Sequence, residues 1–407
     1  VFRRDLRRDP PSLLTAVALL LVGLVVMVVG WRLVDEYRAL AEASTLARWI
    51  TPSASSRPSA SDGGRTLTIL GAGDIIVHPQ VLQQAAADAR AAGRSGYDFF
   101  PMFQAISPTV SAADLAICHL DTTIGPGQPS GPPAFRAPPQ LAQAVKRAGF
   151  DACSTASSNT LARGTVGVTS TIEALEAAGL GHTGSYRSAE ESATPTLYAV
   201  RGVMVGHLSY TVDFNGAKRP AGKEWIANLA DPAKITAAAR AARAAGAEIV
   251  VLSLHWGTEF RHAPDAVQQR WARDLIALPD IDLILGHHSH VVQPFERVGG
   301  EWVVYGMGND LARHPDAIND TREGVLARIT FTEIGPQRWR AARIEAVPTW
   351  TDLSPKLRLV DLPAVLADTA IPANLRATYQ AAYDRVKIHV LSRGGGPAGL
   401  VVAEPAR

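Results

Sequence analysis

Three histidines fall within four positions of one another in the stretch Asp282-Leu-Ile-Leu-Gly-His-His-Ser-His-Val-Val-Gln293. Imidazole is the commonest protein metal ligand and the usual acid–base group near neutral pH. The apolar run stops at Gly286. In an extended segment, a side-chain period of two puts His288 and His290 on one face, which lets two ligands reach one ion.

Other reactive residues stand where similar apolar runs stop. Asp74 closes Gly-Ala-Gly-Asp, His119 and Asp121 end a second run, and Ser157, Ser158 and Asn159 follow a third. His255, with Trp256-Gly257 and Glu259, follows another run, and Asn309 closes Tyr-Gly-Met-Gly-Asn. Asp74, Asp121, His255, His288 and His290 together offer two carboxylates and three imidazoles. Mixed oxygen and nitrogen donors of this kind suit Zn, Mn or Fe as one or two divalent ions. A pair of such ions activates water and steadies displacement at phosphorus. Taken singly, each residue has a plainer reading. A strand-end Asp commonly caps a helix or turn, and a lone His is commonly hydrogen-bonded structure. Five together at strand ends favour the metal reading.

Positioning these groups requires strands that end on one side. Apolar runs at Leu67–Val77, Ala113–Leu120, Phe150–Thr155, Val203–Tyr210, Ala247–Leu254, Ile281–Leu285 and Trp302–Tyr305 alternate with helical patterns. The helical patterns are Leu141–Ala148, Thr171–Ala178, Ala233–Ala244 and Ala266–Leu278. This order predicts an α/β fold with a largely parallel sheet, whose ligands gather beyond the carboxyl ends of the strands. Val325–Thr332 and Arg343–Val347 have no helix between them and read as antiparallel edge strands. A helix near Asn374–Val386 and a tail opening at Gly394-Gly395-Gly396 make up a C-terminal extension, 351–407, beyond a main domain at 66–350.

The 407 residues are 47% apolar and 19% charged, with a net charge of +2, so nothing argues for a nucleic-acid surface. Residues 1–9 are basic. An uncharged run from Pro10 to Trp31 is long enough for a membrane-spanning helix and predicts an anchor over 10–34. Arg3, Arg4, Arg7 and Arg8 precede it, which places the N-terminus in the cytoplasm and the main domain outside, single-pass in the cytoplasmic membrane. A cleaved signal peptide ending at Ala39-Leu40-Ala41 is the rival reading. Residues 35–65 read as a juxtamembrane helix followed by a flexible linker. Cys118 and Cys153 make no disulfide framework; two buried free thiols are expected, with a single bridge as the alternative.

The motifs in this order resemble the CapA-type capsule and poly-γ-glutamate synthesis proteins, relatives of the calcineurin-like metallophosphatases. The resemblance runs from about Leu67 to Leu311. It rests on Gly73-Asp74, Ala113 through Asp121, Ala148 through Ala152, Ser253 through Glu259, Gly286 through Pro294, and Tyr305 through Asn309. It implies a metallophosphatase-like layered sandwich, with helices flanking two β-sheets. It also implies work on an anionic cell-surface polymer or its precursor, alongside other membrane subunits of a polymer-making machine.

The departures bear on chemistry. Asp121 stands where the family usually has Glu, one methylene longer. The family's Asn-His pair, followed by Asp and Gly, aligns with Ser158, Asn159, Ala162 and Gly164. Ser158 is a poor metal ligand, and Asn159, at the catalytic position, transfers no proton at neutral pH. His119 and His287 are then the candidate substitute acids. Ser158, Glu259 and Asn309 are expected to touch substrate. Two readings follow: a weakened metal-dependent phosphoesterase-like hydrolase of envelope-polymer synthesis, or a non-catalytic polymer-binding or scaffold subunit.

Overall fold

The computed structural model describes residues 64–314 and 319–406. Among them no helix is long and apolar enough to cross a membrane. The basic segment, the expected anchor and all but the last residues of the expected linker lie outside the described residues.

The strands, in chain order, are β1 (Thr66–Ile75), β2 (Leu115–Leu120), β3 (Ala152–Ser154), β4 (Gly181–Thr183), β5 (Leu197–Val200), β6 (Val203–Thr211), β7 (Ile249–His255) and β8 (Leu283–His287). They continue with β9 (Phe295–Val298), β10 (Glu301–Val304), β11 (Asn309–Leu311), β12 (Glu323–Gly335), β13 (Arg338–Asp352), β14 (Arg358–Asp361) and β15 (Leu400–Val402). The main helices are α1 (Pro79–Ala91), α2 (Gln140–Arg147), α3 (Gly164–Ala177), α4 (Pro232–Ala244), α5 (Ala266–Ile276), α6 (Leu362–Ala367) and α7 (Ala373–Leu391).

Two mixed sheets result. The first has nine strands, in the order β14-β13-β12-β1-β2-β3-β4, with β11 on β1 and β15 on β13. The second has six, in the order β5-β6-β7-β8-β10-β9. Period-two alternation sorts the side chains into layers. Ile249 and Val251 of β7 meet Leu67 and Ile69 of β1 in the core between the sheets. Val250, Leu252 and Leu254 point the other way, onto Ile235 and Ala239 of α4 and Leu275 of α5. On the far side of the first sheet, Leu70, Ala116 and Cys118 pack against Val81 and Ala85 of α1 and Leu141 and Val145 of α2. The layers are therefore helix, sheet, sheet, helix, with α6 and α7 covering β13 through Leu362, Tyr383 and Val386.

Two expectations are corrected. Val325–Thr332 and Arg343–Val347 are antiparallel strands, but neither lies at an edge. β12 is hydrogen-bonded to β1 on one side and β13 on the other. β13 is flanked by β14 and, in parallel register, by β15, which follows the glycine-opened tail. The physical reason is lateral pairing: β1 and β13 satisfy the backbone groups along both edges of β12, while Val325, Ala327, Ile329 and Phe331 face the inter-sheet core and Leu326 enters the outer one. Cys118 and Cys153 are not free thiols. They form a disulfide between adjacent parallel strands, where they are register partners with Cα atoms 4.4 Å apart. Sequence separation hid this proximity; the pairing of β2 with β3 creates it.

Candidate metal centre

The candidate residues stand at the carboxyl ends of the parallel strands, on the side where open α/β sheets gather ligands. Asp74 is the register partner of His119 on β2 and of Asn309 on β11. His255 is the partner of His287 on β8. Ser158 and Asn159 lie in a turn after β3, fixed by the Thr160 hydroxyl, which accepts from Ser157 N at 2.7 Å and donates to the Thr155 carbonyl at 2.7 Å. Beyond β8 the chain turns sharply. Gly286 has no room for a Cβ, which would run into the Tyr305 carbonyl and the Trp256 indole. His288 and His290 both take positive φ, 84° and 54°. Such a conformation is uncommon for a non-glycine residue and persists where the surroundings over-determine it. One restraint is visible: His288 N donates to Asp74 Oδ2 at 3.1 Å.

Asp74 is the hub. Its Oδ2 lies 3.0 Å from His290 Nδ1, and its Oδ1 lies 3.4 Å from His287 Nδ1. His290 Nδ1 is also 3.2 Å from Asn309 Oδ1, and Asn309 Nδ2 donates to the Thr321 carbonyl at 2.9 Å. Glu259, half exposed, approaches His290 Nε2 at 4.0 Å from the mouth. The His255 ring lies against His288, with centroids 4.5 Å apart, and His255 Nε2 is 3.3 Å from the Ser158 hydroxyl. His119 stacks on His287 at 3.8 Å and uses both its nitrogens inside the protein, Nδ1 with Ser154 Oγ at 2.7 Å and Nε2 with His255 Nδ1 at 2.9 Å. Asn159 Nδ2 donates to Asp121 Oδ1 at 2.9 Å, and its own Oδ1 accepts from Asn215 at 3.2 Å.

Burial and mutual charge set the protonation states. Burial raises the Asp74 carboxyl, but the His287 and His290 imidazoles beside it and the charge on His290 outweigh it, holding Asp74 well below the usual carboxylate range. His290 is the reverse case: burial lowers it, but its bond to Asp74 and the charges of Asp74 and Asp121 carry it up to about 9. Burial, aided by neighbouring imidazoles, pushes His119 and His255 well below their ordinary value, so both are neutral. Burial pushes Asp121 up, against the pull of His290.

The residues present fit a divalent cation. Asp74 Oδ1, Asp121 Oδ2, both His287 nitrogens and His288 Nδ1 are buried without a hydrogen-bond partner. A buried polar atom without a partner is costly, roughly 1–3 kcal/mol each, and these cluster around one point in the fold. Asp74, His119 and His287 bring ligand atoms within 4.8 Å of one another, and so do Glu259, His288 and His290. The five expected ligands thus fall into contacting pairs, Asp74 with His290 and His255 with His288, and Asp121 joins them through its charge interaction with His290 and Asp74. A third cluster, Glu176, His182 and Glu191, lies elsewhere; Arg187 already neutralises both of its carboxylates.

The structure also brings in residues that sequence reasoning passed over. The His314 ring packs tilted against His290 with centroids 4.9 Å apart, and His78 against His314 at 4.9 Å. Burial lowers them to about 3 and about 4. Asp310 is fully buried, no side chain bonds its oxygens, and burial raises it to about 7 against the pull of the Gly73 backbone amide. The available signal was positional: His78 and His314 follow Asp74 and Asn309 by four and five residues, on the loops leaving the same strand ends.

A layered α/β sandwich carrying a buried carboxylate–imidazole pocket at its strand ends is thereby defined. The chain belongs to the bacterial capsule synthesis protein family PGA_cap, whose profile matches residues 68–313. It is 30% identical to the capsule biosynthesis protein CapA of Bacillus anthracis over 174 residues, 42% of each chain. It is 29% identical to a "probable polyglutamine synthesis accessory protein" of Mycobacterium tuberculosis over 215 residues, 49% of this chain and 56% of that one. The chain thus spans about half the length of the curated relatives it matches. Among solved structures it is similar to the calcineurin-like phosphoesterase YfkN of Bacillus subtilis, with 13% identity, 79% of this chain and 97% of that one covered, and a TM-score of 0.43. No activity is carried over from that likeness.

Proposed function

We propose that this protein serves the synthesis, attachment or export of an anionic glutamate polymer at the cell envelope, from a domain held outside the cytoplasm, and that its pocket takes one or two divalent transition ions. The observation that carries the reading is the Asp74–His290 pair with its neighbours His288, His255 and Asp121, several of whose buried donor atoms lack partners. These five residues would hold the ions, with His287 beside Asp74. A bound ion supplies charge neutralisation and a water of lowered pKa. The chain's own residues do the positioning. Asp74 fixes the tautomer and tilt of His290, Asn309 braces the same ring, and Glu259 stands at the mouth.

Hydrolysis is weakened in this reading because Asn159 occupies the place of the family's imidazole. Its amide orients Asp121 but cannot protonate a leaving group. That observation also favours the second reading, a non-catalytic polymer-binding or scaffold subunit. Placement outside the cytoplasm draws support from the Arg-flanked apolar run at 10–34 and from the Cys118–Cys153 bridge, since disulfides persist in oxidising surroundings. The partners proposed are the polymer or its precursor and other membrane subunits of the same machine.

Elemental analysis of protein purified without added metal tests the reading. We expect bound Mn, Zn or Fe, lost in His288→Ala/His290→Ala. A metal content below about a tenth of an equivalent that the double substitution leaves unchanged would remove the basis of the proposal; loss of binding on removing ligands is the signature of a specific site.

A further inference from the structure

Beside the metal pocket runs a second, unassigned feature: a groove of about 560 Å³ whose lining includes Arg136, Arg163, Thr165, Thr169 and Ser170. We infer that this groove binds carboxylate groups of the anionic polymer, with Arg136 and Arg163 as the two cationic contacts. The inference rests on the function proposed above and adds where the chain would lie.

The two guanidiniums differ from the arginines that hold the fold together. Arg243, Arg328, Arg358 and Arg385 are half-buried, and each is paired with a carboxylate: Asp282, Glu345, Asp88 and Glu323. Arg136 and Arg163 are buried to a similar class, and neither has a carboxylate partner among the described residues. Arg136 makes no side-chain hydrogen bond with any described residue. Arg163 donates from Nη2 to Ser130 Oγ at 2.5 Å, while its Nε is buried without a partner. A guanidinium presents a planar fork of donors that matches a carboxylate with two parallel bonds.

The surroundings keep the fork open. Gly127 takes a φ of 96°, and a Cβ there would sit 2.8 Å from Arg136 Nη1. Thr165 and Thr169 also line the groove. One carboxylate, Glu173, also lines the groove; it is exposed and engages neither arginine.

The groove shares backbone with the metal pocket. Arg163 lies four residues after Asn159, and Thr123 two after Asp121. The loop between Asp121 and Ile124 is tied to α3 by Ile124 N donating to Thr171 Oγ1 at 2.8 Å and by Ser170 Oγ donating to the Ile124 carbonyl at 2.7 Å. A repeating polyanion held at the arginines therefore lies beside the turn that presents Ser158 and Asn159. Regular carboxylates along a chain allow one residue to occupy the groove while another enters the pocket.

The test is fluorescence anisotropy of an end-labelled γ-linked glutamate oligomer against the 407-residue protein. Arg136→Ala/Arg163→Ala is expected to weaken binding at least about tenfold, the loss typical of charged hydrogen bonds. Arg136→Lys/Arg163→Lys keeps the charge, loses the fork, and should fall between. Thermal melting and metal content of both variants should match the parent, which separates lost binding from lost folding. Equal binding by the parent and the alanine variant overturns the groove but leaves the metal pocket reading intact. Absence of oligomer binding to the parent overturns both the groove and the glutamate-polymer assignment, while the metal content tests the ion site separately. Tighter binding of polyphosphate than of the glutamate oligomer, lost with the arginines, overturns the carboxylate assignment.

Discussion

Breaking the Cys118–Cys153 bridge probes both the fold and the site. The disulfide closes a loop with a sequence separation of 35. In the chain-entropy treatment, opening it returns about 13 cal/mol/K to the unfolded chain, or about 4 kcal/mol at 25 °C. One residue further along each strand are His119 and Ser154, bonded at 2.7 Å, so looser β2–β3 pairing should also disturb the rings stacked on His119. The cleanest comparison is the same protein with and without a strong reductant, followed by urea unfolding, because no atoms are removed. Cys118→Ala/Cys153→Ala should be less stable still, since it also empties buried volume. An unfolding free energy that changes by less than about 1 kcal/mol on reduction would refute the entropic argument. Two titratable thiols in protein unfolded without reductant would refute the bridge itself.

Other outcomes follow from the same geometry. His290 is raised to about 9, above its unfolded value, so its contribution to the metal-free protein is fully present below about pH 6.5 and is lost as pH rises through about 9; thermal melts after chelation should fall across that window, and His290→Gln should flatten the decline. Because a ligating imidazole must be deprotonated, metal affinity measured by competition with a chelator should rise over the same range, and a flat profile would contradict the Asp74–His290 pairing. Ser158→Asn with Asn159→His should raise hydrolysis of a generic phosphodiester by up to roughly 10²–10⁴ if only the acid is missing; no increase favours the binding role. Gly286→Ala should destabilise by more than about 3 kcal/mol in chemical unfolding, since its Cβ meets backbone and an indole that cannot move aside.

Much of the site was legible before folding because strand ends are local events. An apolar run that stops at a Gly or a polar residue marks where β1, β2, β7 and β8 release the chain, and Asp74, His119, His255 and His287 sit at those points. His78, His314 and Asp310 were not legible as site residues. His78 and His314 are isolated polar residues in loops, Asp310 sits in the three-residue β11, and only ring contact or burial gives each its meaning. The position of β12 escaped for a related reason. Its run is as apolar as an edge strand's can be, and the pairing of both its edges, with β1 and β13, is a property of its neighbours.

By itself, then, the sequence determined the donor types and their placement at strand ends, because these depend on residue identity and short-range periodicity. Tertiary structure decided which donors meet. Asp74 and His288 are 214 residues apart in the chain and share a hydrogen bond, Cys118 and Cys153 become register partners, and Arg136 comes to line one groove with Arg163. Strand order across two sheets sets those encounters, and strand order is chosen by the burial of whole faces, which no local stretch of residues encodes.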